Sequence, residues 1–307
     1  KSKIRKIADY LLKIAAQRNL EQADKMILID NAYEKFCSSF PYAETEDQEK
    51  AINDVLKDLT GDKPMDRLIC GDTGVGKTEV ALRAAFVVSQ SPVKNGKKNL
   101  VILICPTTLL CRQHYKVFKN RFKDTNIKIM QLSRLVSPTA RKHVIQEINA
   151  GELDIVIGTH ALLTDKIQYD NLALLIVDEE HRFGVAHKEK LKKLKECVHI
   201  LTLSATPIPR TLQMSLAGIR DLNLITTQPI NRIATKISVT SFNLPIIKEA
   251  LTKEKNRGGQ SFYICPRIQE LAEVENTLKD LFPNFKIVKA HGKMSVKELD
   301  DIMEDFY

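Results

Sequence analysis

Apolar positions change period along the chain, and the changes mark out its elements. Ile4, Ile7, Ala8, Leu11, Leu12 and Ala15 recur at helical spacing among Lys and Arg residues, which predicts an amphipathic helix from about Lys3 to Arg18. Asn31 to Phe40 reads as a second helix ending near Pro41. Gln48 to Leu59 reads as a third, with Thr45 as its cap and Gln48 placed to close a capping box. From Arg67 to Thr206 short apolar runs alternate with helical segments. The expected strands are Arg67–Cys70, Leu100–Cys105, Ile127–Leu132, Ile155–Gly158, Leu174–Val177 and Ile200–Leu203, with helices beginning after Lys77, Thr108, Ala140 and His187. This rhythm predicts βαβ units and a doubly wound parallel sheet. Pro207 to Pro229 reads as a connection. Beyond it, strand-like Lys236–Thr240, Gln260–Cys265 and Lys286–Ala290 alternate with helical Pro245–Lys255, Glu270–Leu281 and Val296–Phe306, so a second α/β domain is expected to begin there.

Length and composition agree with this layout. A chain of 307 residues is long for a single core and suggests two domains with a helical extension. Its 43% hydrophobic and 28% charged residues exclude disorder. Lys and Arg number 47 against 38 Asp and Glu, a net charge of +9 that favours a polyanionic partner and leaves RNA, DNA and acidic membrane open. The six cysteines contain no C-x-x-C pair and fall mostly in or beside apolar runs, as expected of reduced thiols in a cytoplasmic protein, with no zinc site. Pro106 interrupts the longest apolar stretch, so no bilayer-spanning helix is expected. The start is basic without a secretory core, and the lack of an initiator Met suggests a piece of a longer chain.

Two segments carry candidate chemistry. Gly71-Asp72-Thr73-Gly74-Val75-Gly76-Lys77-Thr78 fits G-x-x-x-x-G-K-[ST] at every fixed position, between an apolar run and a helical segment. In that context backbone amides at a helix start face phosphates, Lys77 reaches the outer phosphates, and the Thr78 hydroxyl ligates magnesium. The apolar run Leu172 to Val177 ends at Asp178, which places this carboxylate at the crevice edge of the sheet, beside the loop. Asp178 then suits magnesium. Glu179 suits polarisation of the attacking water, because phosphoryl transfer demands positioning and charge compensation.

Further segments join these two in a fixed order. Pro106-Thr107-Thr108-Leu109-Leu110, Gly158-Thr159-His160, Asp178-Glu179-Glu180-His181 and Leu203-Ser204-Ala205-Thr206-Pro207 resemble motifs Ia, Ib, II and III of superfamily 2 helicases. His181-Arg182-Phe183-Gly184-Val185 and Thr206-Pro207-Ile208-Pro209-Arg210-Thr211 look like the narrower group holding the branched-DNA helicase RecG and the bacterial transcription-repair coupling factors. Met65 to Asp72, Lys77 to Ala81, Glu180 and Gly218 to Leu222 point within it to the coupling factors. The likeness runs from about Ser38 to Tyr307, although Thr73 and Val75 replace an expected Val and Phe.

The resemblance implies a RecA-like first domain over residues 41–228, a partial second RecA-like domain over 229–307 and a helical linker over 1–40. It implies an ATP- and magnesium-dependent motor that walks on double-stranded DNA, displaces stalled RNA polymerase and recruits the excision-repair machinery. It places Phe40 and Gln48 at the adenine-recognising segment, with the helix cap as the competing use of Gln48. It puts Thr107, Thr108, Arg112, Arg134, Thr159 and His160 on the motif Ia, Ic and Ib loops, where they could hold phosphate oxygens; capping is the alternative for Thr107 and Thr108. His181 would sense the γ-phosphate, and Ser204 and Thr206 would relay nucleotide state. His114, His143, His187, His199 and His291 form no ligand spacing and read as structural. Motifs V and VI, with their γ-phosphate arginines, would follow Tyr307, so weak hydrolysis is expected of this stretch alone. The rival readings are a RecG-type fork remodeller and a nucleotide-gated DNA-binding module.

Overall fold

A computed structural model describes residues 23–93, 96–134, 136–180, 183, 198–205, 220–229 and 235–306. The expected helices over Lys3–Arg18 and after His187 lie outside them, as do Cys197, His181 and Thr206. The chain divides into two compact units, Lys1–Arg232 and Ile233–Tyr307.

The first unit is built on seven parallel strands, β1 (Asp66–Gly71), β2 (Leu100–Ile104), β3 (Ile129–Leu132), β4 (Ile155–Gly158), β5 (Leu172–Asp178), β6 (His199–Ser204) and β7 (Asp221–Ile225), in the order β3-β4-β2-β5-β6-β1-β7. Among the described residues its α-helices are α1 (Asp30–Ser38), α2 (Glu46–Leu59), α3 (Lys77–Gln90), α4 (Thr108–Arg121) and α5 (Pro138–Ala150). Strand β2 is buried at all five residues, and alternation sorts them between two cores. Val101 and Leu103 join Ile52, Ala81, Phe86 and Phe118 beneath α2, α3 and α4, whereas Leu100, Ile102 and Ile104 join Val144 and Ile148 of α5 on the other face. Both faces are covered, as an all-parallel sheet requires.

All six expected strands begin and end within two residues of their observed limits, and β3 starts two residues later than the Ile127–Leu132 run. Strand β7 corrects the reading of Pro207–Pro229 as connection alone. Its inward face carries Asn223 and Ile225, while Leu224 is 51% exposed, so the apolar residues of this edge strand give the wrong parity.

The second unit contains α6 (Leu244–Asn256), α7 (Leu271–Leu281) and α8 (Val296–Phe306), all foreseen to within one residue. Lys236–Thr240, Gln260–Cys265 and Lys286–Ala290 form no ladder among the described residues, a correction to their reading as strands. Alternation becomes a strand only where a neighbour accepts its backbone groups, and here Ile237 and Val239 are 84% and 93% exposed.

Candidate nucleotide site and nucleic-acid face

The loop after β1 turns into α3 through glycines at positive φ, Gly74 at 80° and Gly76 at 84°. Gly76 is the N-cap of α3, so Lys77 and Thr78 stand in its first turn, where unpaired amides and the helix dipole favour an anion. A Cβ on Gly76 would meet Gln48 Nε2 at 2.3 Å, and one on Gly71 would meet the Ile225 carbonyl at 2.6 Å. Gly74 thus answers to backbone conformation, Gly71 to crowding and Gly76 to both.

Gln48 supports the loop from α2. Its Nε2 donates to the Val75 carbonyl at 2.8 Å, its Oε1 accepts from the Thr45 amide at 3.0 Å, and its own amide donates to the Thr45 hydroxyl at 3.4 Å. The capping box is therefore real, and the same amide also props the phosphate loop.

Lys77 Nζ donates to the carbonyls of Gly71 and Asp72 at 2.6 and 2.8 Å. Burial lowers its pKa, resisted by the carboxylates of Glu179, Asp178 and Asp72. Asp72 belongs to the loop itself, whereas Asp178 and Glu179 lie at the tip of β5, one strand beyond β6 from the loop, and the register Asp178 to Leu203 and Cys70 to Ser204 keeps the three tips level. Asp178 is buried, and its Oδ2 accepts from His114 Nε2 at 2.8 Å. Glu179 has a φ of 51°, a left-handed conformation that turns its side chain away from strand alternation. Its Oε1 accepts from the Ala205 amide at 2.9 Å. The β5 tip is thereby tied to the segment after β6 through a backbone amide, that of the residue following Ser204 in sequence.

A hydroxyl and a carboxylate are hard oxygen donors suited to magnesium, which is held by one or two protein groups together with substrate phosphates. Thr78 and Asp178 fit that requirement. No cluster of three or more His, Cys, Asp or Glu suited to a metal occurs among the described residues.

A buried ionic cluster lies behind the loop. Glu79 accepts from Arg83 and Arg121, both at 2.9 Å, and Arg83 also pairs with Glu44. Burial lowers the Arg83 pKa, but hydrogen bonds to Glu79 and Glu44 more than reverse this and leave it raised. The two guanidiniums lie 5.9 and 5.8 Å from the Phe40 ring, and Arg121 bonds the Phe36 carbonyl at 2.7 Å. Phe40 is thus fastened to the phosphate-loop helix through charge.

The proposed nucleic-acid residues occupy the ends of β2, β3 and β4. Thr107 caps α4, its hydroxyl accepting from the Leu110 amide at 3.2 Å, with Thr108 and Arg112 following on the first turns. Arg134 NH2 and His160 Nε2 are 3.1 Å apart, so the ends of β3 and β4 present one polar pair. Thr159 is 1% exposed, and its hydroxyl accepts from the Ala161 amide at 3.4 Å, so in this structure it caps the turn after β4. His114, read as structural, has the acidic strand tip as its partner. The signal was present in Cys111, His114 and Phe118, where an imidazole occupies a buried helical stripe and must find a partner.

A family profile described as DEAD/DEAH box helicase matches residues 45–215. Transcription-repair-coupling factor of Rickettsia bellii is 48% identical over all of this chain and 27% of its own length. That of Escherichia coli is 44% identical over 99% of this chain and 26% of its own. The chain thus spans about a quarter of the length of these curated relatives. A solved structure of RecG bound to a three-way DNA junction superposes with a TM-score of 0.75 at 30% identity, covering 97% of this chain and 39% of that one.

Proposed function

The chain belongs to the DEAD/DEAH box helicase family, and from that premise we propose that it is the ATP-driven motor segment of a transcription-repair coupling factor. In this reading the whole protein translocates on double-stranded DNA, displaces stalled RNA polymerase and helps recruit nucleotide-excision repair. No helix among the described residues is long and apolar enough to cross a membrane. The described cysteines, Cys37, Cys70, Cys105, Cys111 and Cys265, are free thiols, which supports a reducing, cytoplasmic setting.

The observation that carries the proposal is the convergence of Lys77 with Asp178 and Glu179 across level strand tips. Magnesium bound with the triphosphate would neutralise charge developing on the transferred phosphoryl group. Thr78 and Asp178 would hold it. Lys77 would exchange two carbonyl partners for phosphate oxygens. Glu179 would orient the attacking water, and its bond to Ala205 would tell the segment after β6 which nucleotide is bound. Thr107, Thr108, Arg112, Arg134 and His160 would hold DNA phosphates without reading sequence.

In the full-length protein, phosphate release from ATP should rise when duplex DNA is added. Glu179→Gln should abolish release while sparing nucleotide binding, and Lys77→Ala should remove binding itself. Unchanged affinity for labelled ATP in Lys77→Ala would overturn the reading. Preferential unwinding of forks over translocation on plain duplex would favour a RecG-type enzyme.

A further inference from the structure

We propose that His114 is a positioning residue for the magnesium-binding carboxylate, and that it connects this carboxylate to the helix bearing the nucleic-acid contacts. The proposal deepens the function proposed above and, in its second half, rests on it.

Two buried side chains face each other across 2.8 Å, His114 Nε2 from the second turn of α4 and Asp178 Oδ2 from the end of β5, at 10% and 12% side-chain exposure. An ionised carboxylate has no proton to give, so the imidazole N–H is the donor. One bond of this kind fixes one carboxylate oxygen and, with it, the direction in which the other points. A metal-binding carboxylate left without such a partner keeps its charge but loses its orientation, and loss of supporting hydrogen bonds around metal ligands costs roughly 10–100-fold in metal affinity.

The placement of His114 adds a consequence. Helix α4 begins at Thr108 under the Thr107 cap, carries Arg112 on its first turns and places His114 two residues further on. Cys111 and Phe118, with no accessible surface, pack the same helix against the core. A helix so packed moves as a unit, so a shift at its amino end on binding DNA phosphates would be felt at Asp178 through the imidazole. DNA would then tune magnesium coordination directly, through a route separate from the Glu179 to Ala205 bond.

The test uses full-length protein with two variants. His114→Met keeps the volume and removes the donor, and His114→Gln places an amide N–H near the position of Nε2. Binding of a fluorescent ATP analogue is titrated with magnesium and repeated in EDTA. The expected result for His114→Met is a 10–100-fold higher magnesium half-saturation with EDTA-state binding unchanged, largely restored in His114→Gln. Duplex affinity without nucleotide should stay native, while the fold stimulation of ATP turnover by DNA falls. Should His114→Met not fold, His114→Gln is compared with His114→Asn, whose amide is one carbon too short. Native magnesium dependence in the donor-free variant, or equal loss in His114→Gln and His114→Met, would overturn the proposal. Absence of DNA stimulation in the unmodified protein would instead count against the motor function, leaving the magnesium titration to decide the role of His114.

Discussion

The Gln48 side chain donates to the Val75 carbonyl at 2.8 Å, so the helix that precedes the sheet carries the floor of the phosphate loop. Its other amide atom completes the cap on Thr45. Gln48→Glu should separate these two uses. A glutamate still accepts from the Thr45 amide, but it sets an oxygen against the Val75 carbonyl where a donor was. We expect near-native cap stability and at least tenfold weaker ATP binding. Gln48→Ala loses both contacts and should cost about 1–3 kcal/mol in urea unfolding. If ATP and GTP are discriminated equally well by Gln48→Ala and the unmodified protein, adenine recognition is not a role of this residue.

Gly76→Ala tests the loop from the opposite side. The φ of 84° costs an L-residue about 1–2 kcal/mol, and the added methyl group would displace the Gln48 amide. The expected outcome is a folded protein, by circular dichroism, with ATP affinity reduced by an order of magnitude or more. Native affinity would show that the loop tolerates another path.

These two residues also show what the sequence could reveal. The glycine spacing and the Thr45 to Gln48 cap are local patterns, because backbone conformation and a three-residue hydrogen bond require nothing distant. Strands β1 to β6 were legible because they are largely apolar runs buried in the sheet, whereas the edge strand β7 is half exposed and was not. What escaped depended on partners far away in sequence. Asn223 looks like a loop residue until Arg67 and Asp54 are found beside it, at 2.6 Å each. His114 looks structural until β5 is placed next to β2. Thr159 looks available until the ends of β3 and β4 close around it.

Asp47 should make stability depend on pH. Its carboxylate accepts from the backbone amides of Thr227 and Thr226 and from the Thr226 hydroxyl, which lower its pKa from 3.8 to about 2. A depressed folded-state value means that the stabilisation is fully present above the unfolded value and is lost as pH falls towards the folded one. The difference in urea midpoint between the native protein and Asp47→Asn should therefore be constant from pH 6 to about 5 and shrink between pH 4 and pH 3. A difference independent of pH over that range would assign the effect to packing.

Glu79 is the sole carboxylate shared by Arg83 and Arg121 among the described ion pairs, and it is 4% exposed. Removing its charge leaves Arg121 with backbone and hydroxyl partners, in a site where water cannot replace the lost anion. Glu79→Gln should therefore destabilise the first unit by roughly 3–5 kcal/mol, the range for breaking one side of a buried pair. Removal of Arg121 in the same background should not add its full single-mutant cost, since the charge it leaves unpaired is then gone; a double-mutant cycle by urea unfolding measures this. The guanidiniums also flank Phe40, so Glu79→Gln at permissive temperature should weaken ATP binding more than binding of triphosphate without a base. Equal weakening of both ligands would show that the cluster supports the fold and leaves the Phe40 segment in place.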